Sequence, residues 1–302
     1  MHDARELGHQ AALLERTGDH QKAEALLRAG LKLFPGNPAV AYALGILLMR
    51  QGRYSEGWPL YEARHFLSGR PGKPKLSFPE WKGETVERLL VLPEQGLGDQ
   101  IMFARYINVL KMRGINVELG CAPSLARLFN NLDVKVIPID GSITLGRYDA
   151  WIMMCSLAGI IHDKPPIPYF QIRSDNTSGL AVIISGNNMP DPDRSLDEES
   201  ANSVLSLPGA VSLLPQDTGA RDFQETAEIL ASMDLVISVD TAGAHLAGAM
   251  GVPTWLLLPA SADWRWGESS TTDWYPSMRL FRQPARGQWK PVIEEIRTSL
   301  GR

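Results

Sequence analysis

Apolar residues along this 302-residue chain follow two rhythms. Over 4–65 they recur at helical spacing among polar positions. From residue 89 onward, short apolar runs rich in Val, Ile and Leu alternate with stretches of helical pattern. Runs bounded by turn residues predict strands at 89–92, 117–121, 134–138, 150–154, 180–185, 210–214, 235–239, 254–258 and 278–281. Helical patterns fall at 103–113, 124–132, 223–233, 242–250 and 291–300. Such alternation predicts parallel sheets covered by helices. A polar break at Arg173-Ser-Asp-Asn-Thr-Ser-Gly179 divides the region. The expected fold is α/β, with two Rossmann-like doubly wound lobes facing across a cleft. The expected segments are 1–65 helical repeats, 66–86 connector, 87–176 first lobe and 177–302 second lobe.

The helical segment repeats itself. At an offset of 34 residues, Gly18 matches Gly52, Leu14 matches Leu48, Ala11 matches Gly45 and Ala23 matches Gly57. Gly18-Asp19 and Gly52-Arg53 mark turns inside paired helices, and Pro35-Gly-Asn-Pro38 separates the units. Small residues at fixed offsets allow close helix packing, and 34 is the tetratricopeptide period. Only about two units are present where three or more usually stand alone, so the segment is expected to pack on the adjoining part of the chain. Pro59 is tolerable near a helix start but not deep inside a helix. The connector is dense in Pro and Gly, which argues against a regular element. Phe78 and Trp81 are expected to pin it down.

The stretch from Asp234 to Pro253 organises the second half. Leu235 to Val239 reads as a strand buried on both faces. Asp240 and Thr241 come next, and Ala242 opens an Ala-rich helix with Gly251 placed as its C-cap. In open α/β sheets ligands sit at the carboxyl ends of strands, where a helix N-terminus suits a phosphate. Thr241, Ala242, Gly243 and Ala244 are small enough to let an anion approach, although the same turn also reads as a plainly capped one. His245, one turn in, is a candidate to reach a phosphate or a sugar, or is a core histidine.

A second glycine turn follows strand 89–92 at Glu94-Gln-Gly-Leu-Gly-Asp99. It has neither the third glycine of a dinucleotide fingerprint nor the Gly-Lys-Ser/Thr of a P-loop. Asp99 falls in the first helical turn, either as a general base for an acceptor hydroxyl or as a complement to the helix dipole. Glu94 is a second carboxylate there. A third turn, Gly186-Asn-Asn188, comes after strand 180–185. Arg194 and Ser195 read as the start of the next helix and as anion-binding candidates. Asp191-Pro-Asp193 imitates a metal-binding pair but reads as a solvated loop. Trp264, Trp266, Trp274 and Tyr275 offer flat faces for a sugar or base, or else lock a long loop.

Composition narrows the classes. Hydrophobic content of 44% and charged content of 21% belong to a globular protein. A net charge of −4 gives no footprint for nucleic acid. No run suits a signal peptide or a membrane span, so the cytoplasm is the expected compartment. Cys121 and Cys155 read as buried thiols.

Taken together, Glu94-Gln-Gly-Leu-Gly-Asp99, Phe103-Ala-Arg-Tyr106, Asp222-Phe-x-x-Thr-Ala227, the Asp234–Thr241 run, Ala244-His-Leu-Ala-Gly-Ala249, Asp263-Trp-Arg-Trp266 and Trp274-Tyr-Pro-Ser-Met-Arg-Leu-Phe-Arg-Gln283 resemble bacterial tetratricopeptide-repeat glycosyltransferase-like proteins. These are related to the lipopolysaccharide heptosyltransferase family and look more distantly like O-linked GlcNAc transferases. The resemblance implies a GT-B-like fold, a nucleotide-sugar donor held mainly by the second lobe, and inverting transfer without a metal or other cofactor. It implies donor contacts at Asp240, Thr241, Ala242, Gly243, His245, Gly186, Asn187 and Arg194. It implies an acceptor side at Gln95, Gly96 and Gly98, with Asp99 as base. The repeats imply a protein acceptor or partner, as in transferases that glycosylate flagellin. The chain departs from the family in three places. Ile184 stands where a tryptophan is usual, the loop after Asn187 is acidic, and Ser212-Leu-Leu-Pro-Gln-Asp217 lacks the family's lysine. Arg194 and Arg221 are candidates for that charge. The alternative reading is a non-catalytic scaffold or nucleotide-sugar-binding protein.

Overall fold

The computed structural model describes residues 4–163, 165–187 and 192–301. The chain forms two compact units. One comprises the N-terminal segment to Ser77 together with Asp263–Glu268, and the other comprises Phe78–Ala262 and the remainder from Ser269.

The first unit is two helical hairpins: α1 (Ala4–Arg16) with α2 (His20–Leu33), and α3 (Pro38–Arg50) with α4 (Tyr54–Tyr61). Both internal turns place a glycine at positive φ, Gly18 at 78° and Gly52 at 74°, where a side chain would be strained. The carboxylate of Asp19 accepts from the Lys22 N–H and the Asn37 amide oxygen accepts from the Ala39 and Val40 N–H groups, so α2 and α3 both start capped. Ala11, Ala23, Leu27, Val40, Leu44, Leu47 and Leu48 form the core. The small-residue offset has a direct physical meaning at the second hairpin. A Cβ on Gly45 would lie 3.0 Å from the Tyr61 nitrogen, and one on Gly57 would lie 2.4 Å from Met49 Cγ and 3.1 Å from the Gly45 carbonyl. The backbones of α3 and α4 touch there.

Pro59 corrects the expectation placed on it: it lies inside α4. It removes one helical hydrogen bond, and α4 gives way after Tyr61 to a 3-10 turn over Glu62–Phe66. Trp264 meets Trp58 edge-on at 5.5 Å and Tyr61 at 5.9 Å, so Asp263–Glu268 is packed into this unit by aromatic contacts.

The second unit holds two all-parallel sheets. The first contains β1 (Arg88–Leu92), β2 (Asn116–Cys121), β3 (Lys135–Pro138) and β4 (Ala150–Met153), in the order β3-β2-β1-β4. Its helices are α5 (Leu97–Phe103), α6 (Arg105–Met112), α7 (Ala126–Phe129) and α8 (Leu157–Ile160). The second contains β5 (Leu180–Ile183), β6 (Ala210–Ser212), β7 (Leu235–Val239), β8 (Thr254–Leu258) and β9 (Met278–Arg282), in the order β6-β5-β7-β8-β9. Its helices are α9 (Glu198–Leu205), α10 (Pro215–Thr218), α11 (Phe223–Ala231), α12 (Ala242–Met250) and α13 (Lys290–Ser299). In register, Val91 pairs with Leu119 and Ile152, while Ile237 pairs with Val182 and Trp255. The central strands β1 and β7 are buried on both faces, which is why they read as continuous apolar runs. The core of the second sheet runs from Val182, Ile237 and Val239 to Trp289, Ile293 and Ile296 at α13.

Every apolar run expected as a strand is one, although β5 stops at Ile183 and β6 is three residues long. Helices depart further. The expected helix over 103–113 starts at Leu97 and breaks at Ala104 into α5 and α6. The expected helix over 124–132 is α7 flanked by 3-10 turns. Helices α8, α9 and α10 carry too few apolar repeats to be read from pattern. The connector makes a single parallel bridge, Glu80 to Trp151, on the outer side of β4. Trp81 donates its backbone N–H to the Trp151 carbonyl at 2.7 Å and its ring N–H to the Glu84 carbonyl at 2.8 Å. Phe78 packs on Tyr148 at 5.3 Å. Among the described residues, no helix is long and apolar enough to cross a membrane.

The contrast between two glycines checks the packing of the helical unit. A Cβ on Gly8 in α1 meets nothing within 4 Å. Gly8→Ala should stabilise the unit by about 0.5–1 kcal/mol through helix propensity. Gly57→Ala should cost about 1–3 kcal/mol through overpacking. Urea unfolding followed by far-ultraviolet circular dichroism reads both, and equal midpoints would disprove the close passage of α3 and α4.

Candidate functional site

The site is built where the carboxyl ends of β1, β5 and β7 turn into polar loops. After β1, Gln95 has a backbone φ of 61°, the left-handed region, although it carries a full side chain. Such a conformation costs on the order of 1–3 kcal/mol and persists where the surroundings demand it. Glu94 accepts the Cys155 N–H at 2.9 Å, and Gln95 Nε2 donates to Cys155 Sγ at 3.7 Å, so the turn is held against the end of β4. Gly96 caps α5, and its N–H donates to Asp99 Oδ2 at 3.0 Å. Asp99 therefore does cap its own helix, with its carboxylate at the helix start. Gln100, buried just beyond, accepts the Ala122 N–H at 2.9 Å and ties the turn to the end of β2.

After β7, Thr241 is the N-cap of α12, and its hydroxyl accepts the Ala244 N–H at 3.4 Å. Gly251, at φ 74°, closes the helix as expected. Gly243 is small for a different reason from ligand approach. A Cβ there would lie 2.5 Å from Ile183 Cδ1, so its lack of a side chain lets α12 sit down on β5. Asp240 Oδ1 lies 3.8 Å from His245 Nε2, and His245 Nδ1 lies 3.0 Å from the Tyr275 hydroxyl.

These two turns meet. A Cβ on Gly98 would lie 2.7 Å from His245 Cδ2 and 3.5 Å from the Ala242 Cα. The start of α5 thus rests directly on the first turn of α12, with a hydrogen atom where any other residue would carry carbon. The third turn joins on the other side. A Cβ on Gly186 would lie 2.9 Å from Thr241 Cγ2. The Gly186 N–H donates to Ser195 Oγ at 3.2 Å. Arg194 donates from Nε to the Asn187 carbonyl at 2.8 Å, and its Nη1 lies 3.5 Å from the Asp240 carbonyl. Arg194 thus places a cation beside the β7–α12 turn. Arg221 instead pairs with Glu225 and holds that carboxyl down at about 2. A further tie between the helices of the two sheets is Arg127 to Asp222, at 2.8 Å.

One expectation is corrected here and one pair of alternatives is decided. Arg194 and Ser195 do not begin a helix: a 3-10 turn covers Pro192–Arg194, and α9 starts at Glu198 with Asp197 as its cap. Asn188 and Asp191 lie outside the described residues, whereas Asp193 of the acidic loop pairs with Arg286 at 2.6 Å. Trp264, Trp266, Trp274 and Tyr275 are all buried, so they lock their loops and offer no open platform. Both cysteines are buried thiols, and burial pushes the Cys121 thiol up to about 11.

Pattern reading gave Arg105 and Tyr169 no role. Arg105 is 2% exposed, and its guanidinium lies 4.8 Å from the Tyr275 ring, 5.1 Å from Trp274 and 5.3 Å from Tyr169. The signal available was a charged residue inside an apolar helical stripe. Among the described residues, no cluster of three or more His, Cys, Asp or Glu could hold a metal ion.

Comparison with known proteins finds likenesses in both parts of the chain. The tetratricopeptide repeat model matches residues 14–57, within the segment that repeats. The model of glycosyltransferase family 9 (heptosyltransferase) matches residues 178–274, which include the β7–α12 turn. Protein FlbA of Caulobacter vibrioides is 25% identical over 341 residues, covering 88% of this chain. The chain spans 56% of the length of that relative. Among solved structures, E. coli heptosyltransferase WaaC with ADP superposes with a TM-score of 0.54 at 13% identity, covering 71% of this chain and 99% of WaaC. The chain thus resembles tetratricopeptide-repeat proteins over residues 14–57 and glycosyltransferase family 9 over residues 178–274, with an α/β fold of parallel sheets similar to that of heptosyltransferase WaaC.

Proposed function

We propose that the protein transfers a sugar from a nucleotide-sugar donor to a hydroxyl acceptor on a protein or glycan, on a GT-B-like arrangement of two lobes. The observation that carries this reading is the seating of Gly98 on Ala242 and His245, which brings the Asp99 turn and the Asp240–Gly243 turn to one place. The acceptor oxygen loses its proton to the Asp99 carboxylate and attacks the anomeric carbon. The bond from that carbon to the diphosphate breaks with inversion, and the diphosphate leaves with the electron pair. The N-terminal N–H groups and dipole of α12 stabilise the developing charge. Arg194 supplies the cation that Ser212-Leu-Leu-Pro-Gln-Asp217 lacks. Gln95, Gly96 and Gly98 line the acceptor side. The reaction as written uses no metal ion. The tetratricopeptide segment would take a protein acceptor or partner.

One observation favours a second reading, a donor-binding scaffold without turnover. The segment that holds the lysine in the family forms α10 here, and Asp217 hydrogen-bonds the Ser212 hydroxyl there. The segment thus carries a carboxylate and no lysine.

Calorimetry without metal, with ADP, UDP, GDP and their sugar conjugates, separates these readings. One nucleotide should bind at micromolar Kd, and Thr241→Ala should weaken it about tenfold through loss of the cap. Gly98→Ala should weaken the sugar conjugate more than the bare nucleotide, because the new Cβ displaces His245. With the donor identified, Asp99→Asn should keep binding but lower turnover by about 10²–10⁴. Binding with no turnover for wild type would favour the scaffold. No binding across the panel would sink the donor site itself.

A further inference from the structure

The two sheets of the second unit meet over a buried joint, and its make-up decides whether they can part. Phe103, at the end of α5 on the first sheet, meets Trp274 of the second edge-on at 6.3 Å. Arg105 follows, with its guanidinium over the rings of Trp274 and Tyr275. A Cβ on Gly248 of α12 would lie 2.5 Å from Tyr275 Cγ, so that ring rests directly on the helix backbone. The segment between the sheets is drawn into the same joint. Tyr169 and Phe170 both donate their backbone N–H to the Ala249 carbonyl of α12, at 3.0 and 3.4 Å. The Tyr169 hydroxyl donates to the Ile101 carbonyl of α5 at 2.9 Å, and its ring offers Arg105 a third face at 5.3 Å. Phe170 stacks on Phe129 of α7 at 6.0 Å. Nearer the surface, Arg127 of α7 donates to Asp222 at 2.8 Å, and Asn131 donates to Gln224 of α11 at 2.9 Å.

Phe103, Phe129, Phe170 and Tyr275 are fully buried, and Arg105, Tyr169 and Trp274 nearly so. Two halves of a chain move against each other by default, unless the contact between them is large and apolar. Parting these sheets would open to water rings that each bury on the order of 150–250 Å². It would also strip Arg105 of its π faces. We infer that the two sheets form one rigid body, locked by Arg105 and its aromatic cage, with no motion that opens one sheet away from the other. The polar stretch Arg173–Gly179 is then not a hinge. Tyr169 and Phe170 anchor the chain before it, and the Gly179 N–H donates to Asp234 at its end, at 3.1 Å. A nucleotide or an acceptor enters and leaves past the loops that follow β1, β5 and β7, while the sheets stay together.

Spin labels on the whole chain test this. Cys121 and Cys155 are both buried, so introduced cysteines at exposed positions take the label. Met112→Cys on α6 with Asn202→Cys on α9 reports across the two sheets. Asn202→Cys with Glu228→Cys on α11 reports within the second sheet alone. Double electron–electron resonance without ligand should give one narrow distance for each pair. Arg105→Met keeps the bulk and removes the cation, and Trp274→Leu removes one ring of the cage. Each should broaden the distance across the sheets and leave the distance within the second sheet narrow. A broad or two-peaked distance across the sheets in the labelled parent chain overturns the inference. Variants that stay as narrow as the parent overturn it too. If neither variant folds, the parent chain decides alone. The distances are read with no ligand present, so the outcome is separate from that of sugar transfer.

Discussion

The arrangement of the site depends on one close approach, that of α5 to α12. Two helix starts can approach this closely only if one of them lacks a side chain at the point of contact. Gly98 provides the gap, and the His245 ring fills it. The burial of His245, the reach of its Nδ1 to Tyr275, and the placement of the Asp99 and Asp240 turns together all result from it. The strained backbone at Gln95 belongs to the same constraint. A right-handed residue there would carry the chain away from β4 and move the start of α5.

Polar groups around this contact are held by partners behind the site. Thr241 caps its helix, Gly96 is bonded by Asp99, and Glu94 by the Cys155 amide. Behind His245, Arg105 sits among aromatic rings. Stacking on π faces stabilises such a cation in place of a carboxylate.

Close backbone contact recurs in the helical unit, where Gly45 and Gly57 bring α3 and α4 together. There the purpose is packing alone. The same residue type thus serves a repeat in one unit and the candidate site in the other. Only the neighbours, Met49 in one case and His245 in the other, tell them apart.

The strands were legible in sequence because a strand buried on both faces of a parallel sheet must be apolar throughout, as β1 and β7 are. The repeat was legible because its glycines recur at a fixed offset, and the turn-forming Gly18 and Gly52 carry their own conformational reason. Residues Asp99, Asp240, Thr241 and His245 could be singled out, since each lies in or just beyond a polar turn at a strand end. What each does could not. Whether Trp274 and Tyr275 face a ligand or a core, whether Gly243 serves an anion or Ile183, and which of Arg194 and Arg221 lies by Asp240 all depend on distances between segments remote in the chain. Composition and periodicity determine local structure and burial through each residue's own chemistry. The partner of a buried polar atom is decided only by tertiary packing, because hydrogen bonds reach about 3 Å and sequence spacing carries no such measure.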